Sequence, residues 1–241
     1  AEAVAVRERA ARKLAGWGHV QFLAAHAELD RLLDRGEMRR AYEAAEWLLR
    51  RCVEAGEDAY PEAAYDLGMA HWSLGKVLRM AGAASEALSL LGDAQQRFES
   101  LARNKDIYAA RMASAALAQS GLCLTALGRL DEAAAAFEEA VRRDEELGAQ
   151  RQAAIAKGDL GTVRQLQGRY DEALAAHEEA RQTFESLGEY RRVATAWHQI
   201  GRVHSQAEEY ERAERAYRQS LAVSVQQQYA TSEANSLLEL I

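Results

Sequence analysis

Residues 160–180 read LGTVRQLQGRYDEALAAHEEA, and residues 200–220 read IGRVHSQAEEYERAERAYRQS. Gly161 returns as Gly201, Ala173 as Ala213, and His177 as the bulkier Tyr217. A fixed period of this size is the mark of stacked supersecondary units, each unable to bury its apolar face without neighbours. Earlier copies share the pattern. One carries Gly121, Leu124, Ala133, Phe137 and Ala140, another Leu74, Gly75, Ala87 and Ala94, and a degenerate one Leu29, Gly36 and Ala41. Strong helix formers dominate, and no stretch alternates β-branched and aromatic residues at period two. The fold class is all-α.

Trp197, Ile200, Gly201 and His204 stand where the tetratricopeptide repeat has W-x2-L-G-x2-Y, and Ala213 and Tyr217 where it has A-x3-F. On these residues the chain resembles five tetratricopeptide repeats over residues 20–227. The closing Pro of the family is replaced by Gly148 and Gly188 in two copies. The 40-residue spacing is similar to the long repeats of kinesin light chains, mitotic spindle adaptors and bacterial multidomain signalling proteins. The resemblance implies a right-handed superhelical solenoid of helix-turn-helix units, with the first helix of each repeat lining a concave groove and the second forming the outer wall.

The chain has 241 residues, 49% of them hydrophobic, a single Pro and a formal net charge of −7. That balance argues against nucleic acid, whose phosphates need a basic face. No apolar run reaches the length of a membrane span, and no signal peptide opens the sequence. Cys52 and Cys123 are too few for a disulfide framework and fit a reducing, cytoplasmic setting. The first residue is not Met, and the sequence stops inside what reads as a new repeat, so the expectation is a fragment of a larger protein.

One solenoid domain is expected over 1–241. A flanking helix over 1–18 has Trp17 as a staple onto the first repeat. Repeats then occupy 19–56, 61–102, 107–147, 150–187 and 190–227, and a truncated or capping helix covers 229–241. Asp58 and Pro61 signal a helix start, since Pro suits a first turn. Turns fall at Gly36, Gly82, Gly128, Gly168 and Ala207–Glu209, with acidic pairs such as Asp131-Glu132 and Asp171-Glu172 facing the positive helix end. Helical stripes bury Ala41, Ala45, Leu48, Leu49 and Cys52 in one second helix, and Ala173, His177, Ala180, Phe184 and Leu187 in another. Gly36 to Gly82 and Gly75 to Gly121 are each 46 residues. The six extra residues are almost one turn for each of two helices, which predicts longer helices. Leu237, Leu238, Leu240 and Ile241 would lie uncovered, which favours truncation or homo-association through the last helix.

No catalytic constellation emerges, and neither a cofactor nor a metal site is expected. His19, His26, His71, His177, His198 and His204 lack metal-ligand spacing. Glu138-Glu139, Asp144-Glu145-Glu146 and Glu178-Glu179 alternate with Arg142, Arg143 and Arg181 at salt-bridge spacing. Charge sorts by helix. Across the last three repeats the first helices carry Arg111, Arg151, Lys157, Arg164, Arg191, Arg192 and Arg202 against Asp159, a net +6, and the second helices a net −8.

In the positions that the resemblance turns inward, the groove candidates are Trp72, Ser73, Lys76 and Arg79. The third repeat adds Gln119, Leu122 and Thr125, the fourth Asp159, Thr162 and Gln165, and the fifth His198, Gln199 and Arg202. Ser73, Gln119, Asp159 and Gln199 form a polar column where long-repeat relatives have Asn. Trp72 beside Lys76 and Arg79 is the expected anchor, since Trp and Arg dominate interfaces. The expected function is a non-catalytic scaffold that holds a protein or peptide segment, an acidic one by charge, in the concave groove. The alternatives are a regulatory or sensor arm of a larger bacterial protease or NTPase, and a self-assembly module.

Overall fold

The computed structural model describes residues 16–226. The expected helices over 1–18 and 229–241 lie outside these residues, apart from 16–18, and so do Leu237 to Ile241. Among the described residues there are ten α-helices and no strand. They are α1 (His19–Asp34), α2 (Met38–Ala55), α3 (Ala63–Met80), α4 (Ala84–Ala102), α5 (Ile107–Ala126), α6 (Leu130–Glu146), α7 (Gln150–Leu166), α8 (Tyr170–Ser186), α9 (Tyr190–Gln206) and α10 (Tyr210–Gln226). No described helix is long and apolar enough to cross a membrane. The described residues divide into two compact units, one on each side of a boundary between Cys123 and Leu124, inside α5.

In the first unit the buried stripes meet as patterned. Ala41 and Ala45 of α2 join Leu29 and Leu32 of α1 and Leu74 and Val77 of α3. Phe22, Leu48, Cys52, Leu67 and Ala70 form a second cluster, on which Trp17 packs. Trp17 also stands edge-on to Trp47, with ring centroids 5.6 Å apart, and Arg51 lies over its ring. Phe98 of α4 seats among Ala94, Ala109, Ala113 and Ala116. Alanine at these contacts lets helix axes come close, and each large side chain removed from water stabilises by roughly 1.5–3 kcal/mol.

The tightest approach recurs at glycine. A Cβ on Gly75 would come within 2.8 Å of Leu91, one on Gly161 within 2.8 Å of the His177 ring, and one on Gly201 within 2.5 Å of the Tyr217 ring. In each case a bulky side chain of the second helix lies flat against the backbone of the first. Ala154, Ala180, Phe184 and Val193 complete the interior of the second unit, with Trp197 and Val223 at its margin. Ser220 adds a buried cross-helix bond, its hydroxyl donating to the Ala194 carbonyl at 2.8 Å. The α8 stripe stops one residue short of expectation. Leu187 lies beyond the helix end and is 42% exposed.

The six extra residues are absorbed in two ways. Between Gly75 and Gly121 they lengthen helices, because α4 has 19 residues and α5 has 20, against 17 in each of α6–α10. Asp106 caps α5, its Oδ1 accepting from the N–H groups of Tyr108 and Ala109 at 2.9 and 3.0 Å. Between Gly36 and Gly82, α2 and α3 have only 18 residues each, and most of the excess lies in the connection over residues 56–62. Longer helices are therefore not the answer there. Pro61 sits in that connection and not in the first turn of α3, which begins at Ala63. Gly56, with φ 91°, has already turned the chain out of α2.

Gly168, with φ 74°, closes the α7–α8 turn, and Arg169 donates back to the Arg164 carbonyl at 2.9 Å. The α9–α10 turn has the same closure, Glu209 to the His204 carbonyl at 2.9 Å, with Glu208 at φ 60° in the glycine's place. That conformation costs a side-chain-bearing residue about 1–2 kcal/mol. Glu208→Gly should therefore raise stability by about 0.5–1 kcal/mol, the gain being trimmed by the freer unfolded chain. Gly201→Ala should lower it by about 1–3 kcal/mol through overpacking on Tyr217. Gly92→Ala on α4, where the new methyl meets nothing within 4 Å, should raise it by about 0.5–1 kcal/mol. Guanidinium melts of the three variants check these signs.

Candidate functional site

In the first unit the inward positions of α3 and α5 form two contacts. Lys76 Nζ lies 5.2 Å from the Trp72 ring centroid, a cation–π pair. Arg79 donates from Nε to the Gln119 side-chain carbonyl at 2.8 Å. Trp72 is half-buried and packs on both Phe98 and Leu91 clusters, so it is a structural wedge as well as a surface ring. Its Nε1 has no partner among the described residues. Ser73 is buried, and its hydroxyl likewise has none. Leu122 and Thr125 are half-buried on α5 and join neither contact.

In the second unit Asp159 and Thr162 of α7 face Thr195 and Gln199 of α9 across a cleft of about 150 Å³. Its floor comes from α8, with His177, Ala180 and Phe184, and Arg192 closes one end over the Phe184 ring at 5.3 Å. Gly158 keeps the cleft open, since a Cβ there would meet nothing within 4 Å. Arg202 donates to Gln199 Oε1 at 3.2 Å. Two groove candidates fall elsewhere. Gln165 is buried and donates to Gln206 at 3.0 Å, and the His198 ring stands 5.4 Å from Tyr217.

Sequence reading passed over His177 and Phe184 as site residues, because it assigned second-helix residues to packing, and Arg192 of α9 entered only the charge count. The available signal was Gly158, an inward position without a side chain, in the same repeat as an imidazole that replaces the motif's aromatic. His177 is 2% exposed, and its Nε2 has no partner among the described residues. Burial, aided by the Arg202 charge, pushes its pKa down to about 4. The ring is thus neutral at physiological pH.

The cations of the first helices are mostly neutralised. Arg151 pairs with Glu189, Lys157 with Glu145 and Glu179, Arg164 with Glu138 and Glu172, and Arg192 with Glu189. Among the described residues Lys76, Arg79, Arg111 and Arg202 have no carboxylate within ion-pair distance. The counted excess of positive charge therefore narrows to particular points.

A second polar cluster was invisible in sequence. Asp66 is fully buried on α3, with His19 Nδ1 at 3.0 Å from both its oxygens and Tyr60 donating at 3.0 Å. Burial still holds its carboxyl above the usual range. The same burial, with Asp66 nearby, pushes the Cys52 thiol up to about 12, so this sulfur is an inert packing group. Among the described residues no group of three His, Cys, Asp or Glu side chains gathers to hold a metal ion.

Comparison with known proteins matches this architecture. Models described as the tetratricopeptide repeat match residues 114–147 and 151–224. The chain carries tetratricopeptide repeats. No curated protein matches it. Among solved structures, the chain is similar to BtubC (BKLC) from P. vanneervenii, at 20% identity and TM-score 0.71, over 84% of this chain and 81% of that one. It is also similar to the Rap conjugation gene regulator of plasmid pLS20, solved in complex with the Phr* peptide, at 17% identity and TM-score 0.69, over 90% and 57%. A third is a signal transduction ATPase with numerous domains from Pyrococcus horikoshii, which has a tetratricopeptide repeat sensor. There the identity is 13% and the TM-score 0.70, over 90% and 32%. The chain thus spans little more than half of the Rap regulator and a third of the ATPase. At these identities the likeness is one of fold.

The buried imidazole sets a pH dependence. A histidine whose folded pKa lies below its unfolded value of 6.5 contributes stability above that value, and the contribution is lost as pH falls toward about 4. The loss attributable to His177 should be about 3 kcal/mol between pH 7 and pH 4. Denaturant melts of wild type and His177→Phe at both pH values check it, since the variant should lose that much less on acidification.

Proposed function

We propose that this tetratricopeptide repeat protein is a non-catalytic interaction scaffold that holds a partner segment on the faces of its first helices. The observation that carries the reading is the uneven neutralisation of charge. Arg151, Lys157, Arg164 and Arg192 are ion-paired, whereas among the described residues Lys76 lies on an aromatic ring and Arg79 and Arg202 bond neutral amides and no carboxylate. Cations left without carboxylates beside open polar side chains are poised for carboxylates or backbone carbonyls of a ligand. An acidic or extended segment suits them. Asp159, Thr162 and Gln199 add donors and acceptors for a peptide backbone. The Rap regulator's complex with a peptide supports this use of the fold. Trp72, Gln119, Leu122 and Thr125 would support this face, whereas Ser73 and Gln165 are buried and His198 lies against Tyr217.

A second reading is favoured by the Pyrococcus ATPase, where a tetratricopeptide repeat array is the sensor of a larger protein. In that arrangement the same face would engage a domain of its own polypeptide.

Immobilised wild-type chain and a Lys76→Glu/Arg202→Glu variant separate these readings. The wild type should retain a partner that the variant retains at least about tenfold less, with the wild-type interaction weakening as salt rises. Melting temperature should stay close to that of the wild type. An identical partner set on both would sink the first-helix face as the binding surface.

A further inference from the structure

We infer that the cleft over His177 is a binding site for one uncharged aromatic ring that carries a hydroxyl group. It rests on the scaffold reading for the face that is left open, and it adds a ligand class of its own.

Size comes first. The cleft measures about 150 Å³, and an apolar cavity of that order accommodates benzene. Ala180 and Phe184 supply an apolar bed for a ring, and Gly158 leaves the entrance clear. Polarity comes second. His177 is buried in the floor with Nε2 unpartnered among the described residues, and a polar atom buried in this way is a standing demand for a hydrogen bond. The imidazole is neutral, so it offers either a donor or an acceptor depending on tautomer, and a hydroxyl satisfies both cases.

Charge comes third. Asp159 and Arg192 are the charged side chains of the lining, and Arg192 is ion-paired with Glu189, so the lining offers no unpaired cation to a phosphate or carboxylate. His177 also stands where the next repeat has Tyr217. The position holds a smaller ring here than forty residues later, where a phenol fills the space beneath Gly201.

A phenol can arrive free or as a tyrosine side chain, and the test distinguishes the two. Amide NMR titrations of the purified chain with p-cresol, toluene and N-acetyltyrosinamide read the affinities. Wild type should bind p-cresol about three- to tenfold more tightly than toluene, the range of one hydrogen bond. His177→Phe should keep toluene binding and lose the preference. Gly158→Leu should block both ligands while melting no lower than wild type. If N-acetyltyrosinamide binds at least as well as p-cresol, the ring comes from a polypeptide; if it is excluded while p-cresol binds, a free phenol is the ligand. Equal affinity for p-cresol and toluene overturns the inference, as does binding of neither, or a preference that survives in His177→Phe. Partner retention by Lys76 and Arg202 is read in a separate experiment, so either result can fail without the other.

Discussion

The structure depends on how closely two helices of one repeat can approach. At Gly75, Gly161 and Gly201 the first helix has no side chain, and Leu91, His177 or Tyr217 of the second lies against bare backbone. That contact sets the separation at which the alanine stripes can interlock and Phe98 and Phe184 can be buried. It also fixes which side of each second helix is turned inward. The first helices are left with one face for their neighbours and one face open. In the second unit, the open faces of α7 and α9 and the floor of α8 make a cleft because the glycine contact places the floor there.

The electrostatics obey a different logic. Charges on the first helices reach carboxylates on adjacent second helices, as Lys157 does with Glu145 and Glu179. Exposed pairs of this kind contribute little stability each, about 0–1 kcal/mol. Their effect on the surface is larger, because they remove most of the positive character that a count of residues assigns to it. What remains among the described residues is local, at Lys76, Arg79, Arg111 and Arg202.

The sequence made the repeat, its turns and most of its buried stripes legible, because these rest on periodicity. Ala41, Ala45, Leu48 and Cys52 are buried as their spacing requires, and Ala173, His177, Ala180 and Phe184 likewise. Leu187 escaped because spacing does not mark where a helix ends. The ion pairs escaped because they join residues 12 to 38 positions apart, at distances that only packed helices define. The Asp66 cluster escaped for the same reason, since His19 is 47 residues away. The cleft was half visible. Asp159, Thr162 and Gln199 followed from register, but His177 read as packing, which it is. Its unmet hydrogen bond is a property of its surroundings and not of its residue type.

The two long junctions accommodate extra chain by opposite means. Between α4 and α5 almost all of it is helical, and each added helical residue rotates the buried face by about 100°. An insertion there is acceptable only in steps near a whole turn. Between α2 and α3 it lies in the connection over 56–62, where Gly56 and Pro61 have already broken the helical register. Any number of residues can enter at that point without turning Leu48 or Leu67 away from the interior. One junction thus changes length stepwise and the other continuously, and the second is where a foreign segment could be carried at least expense to the fold.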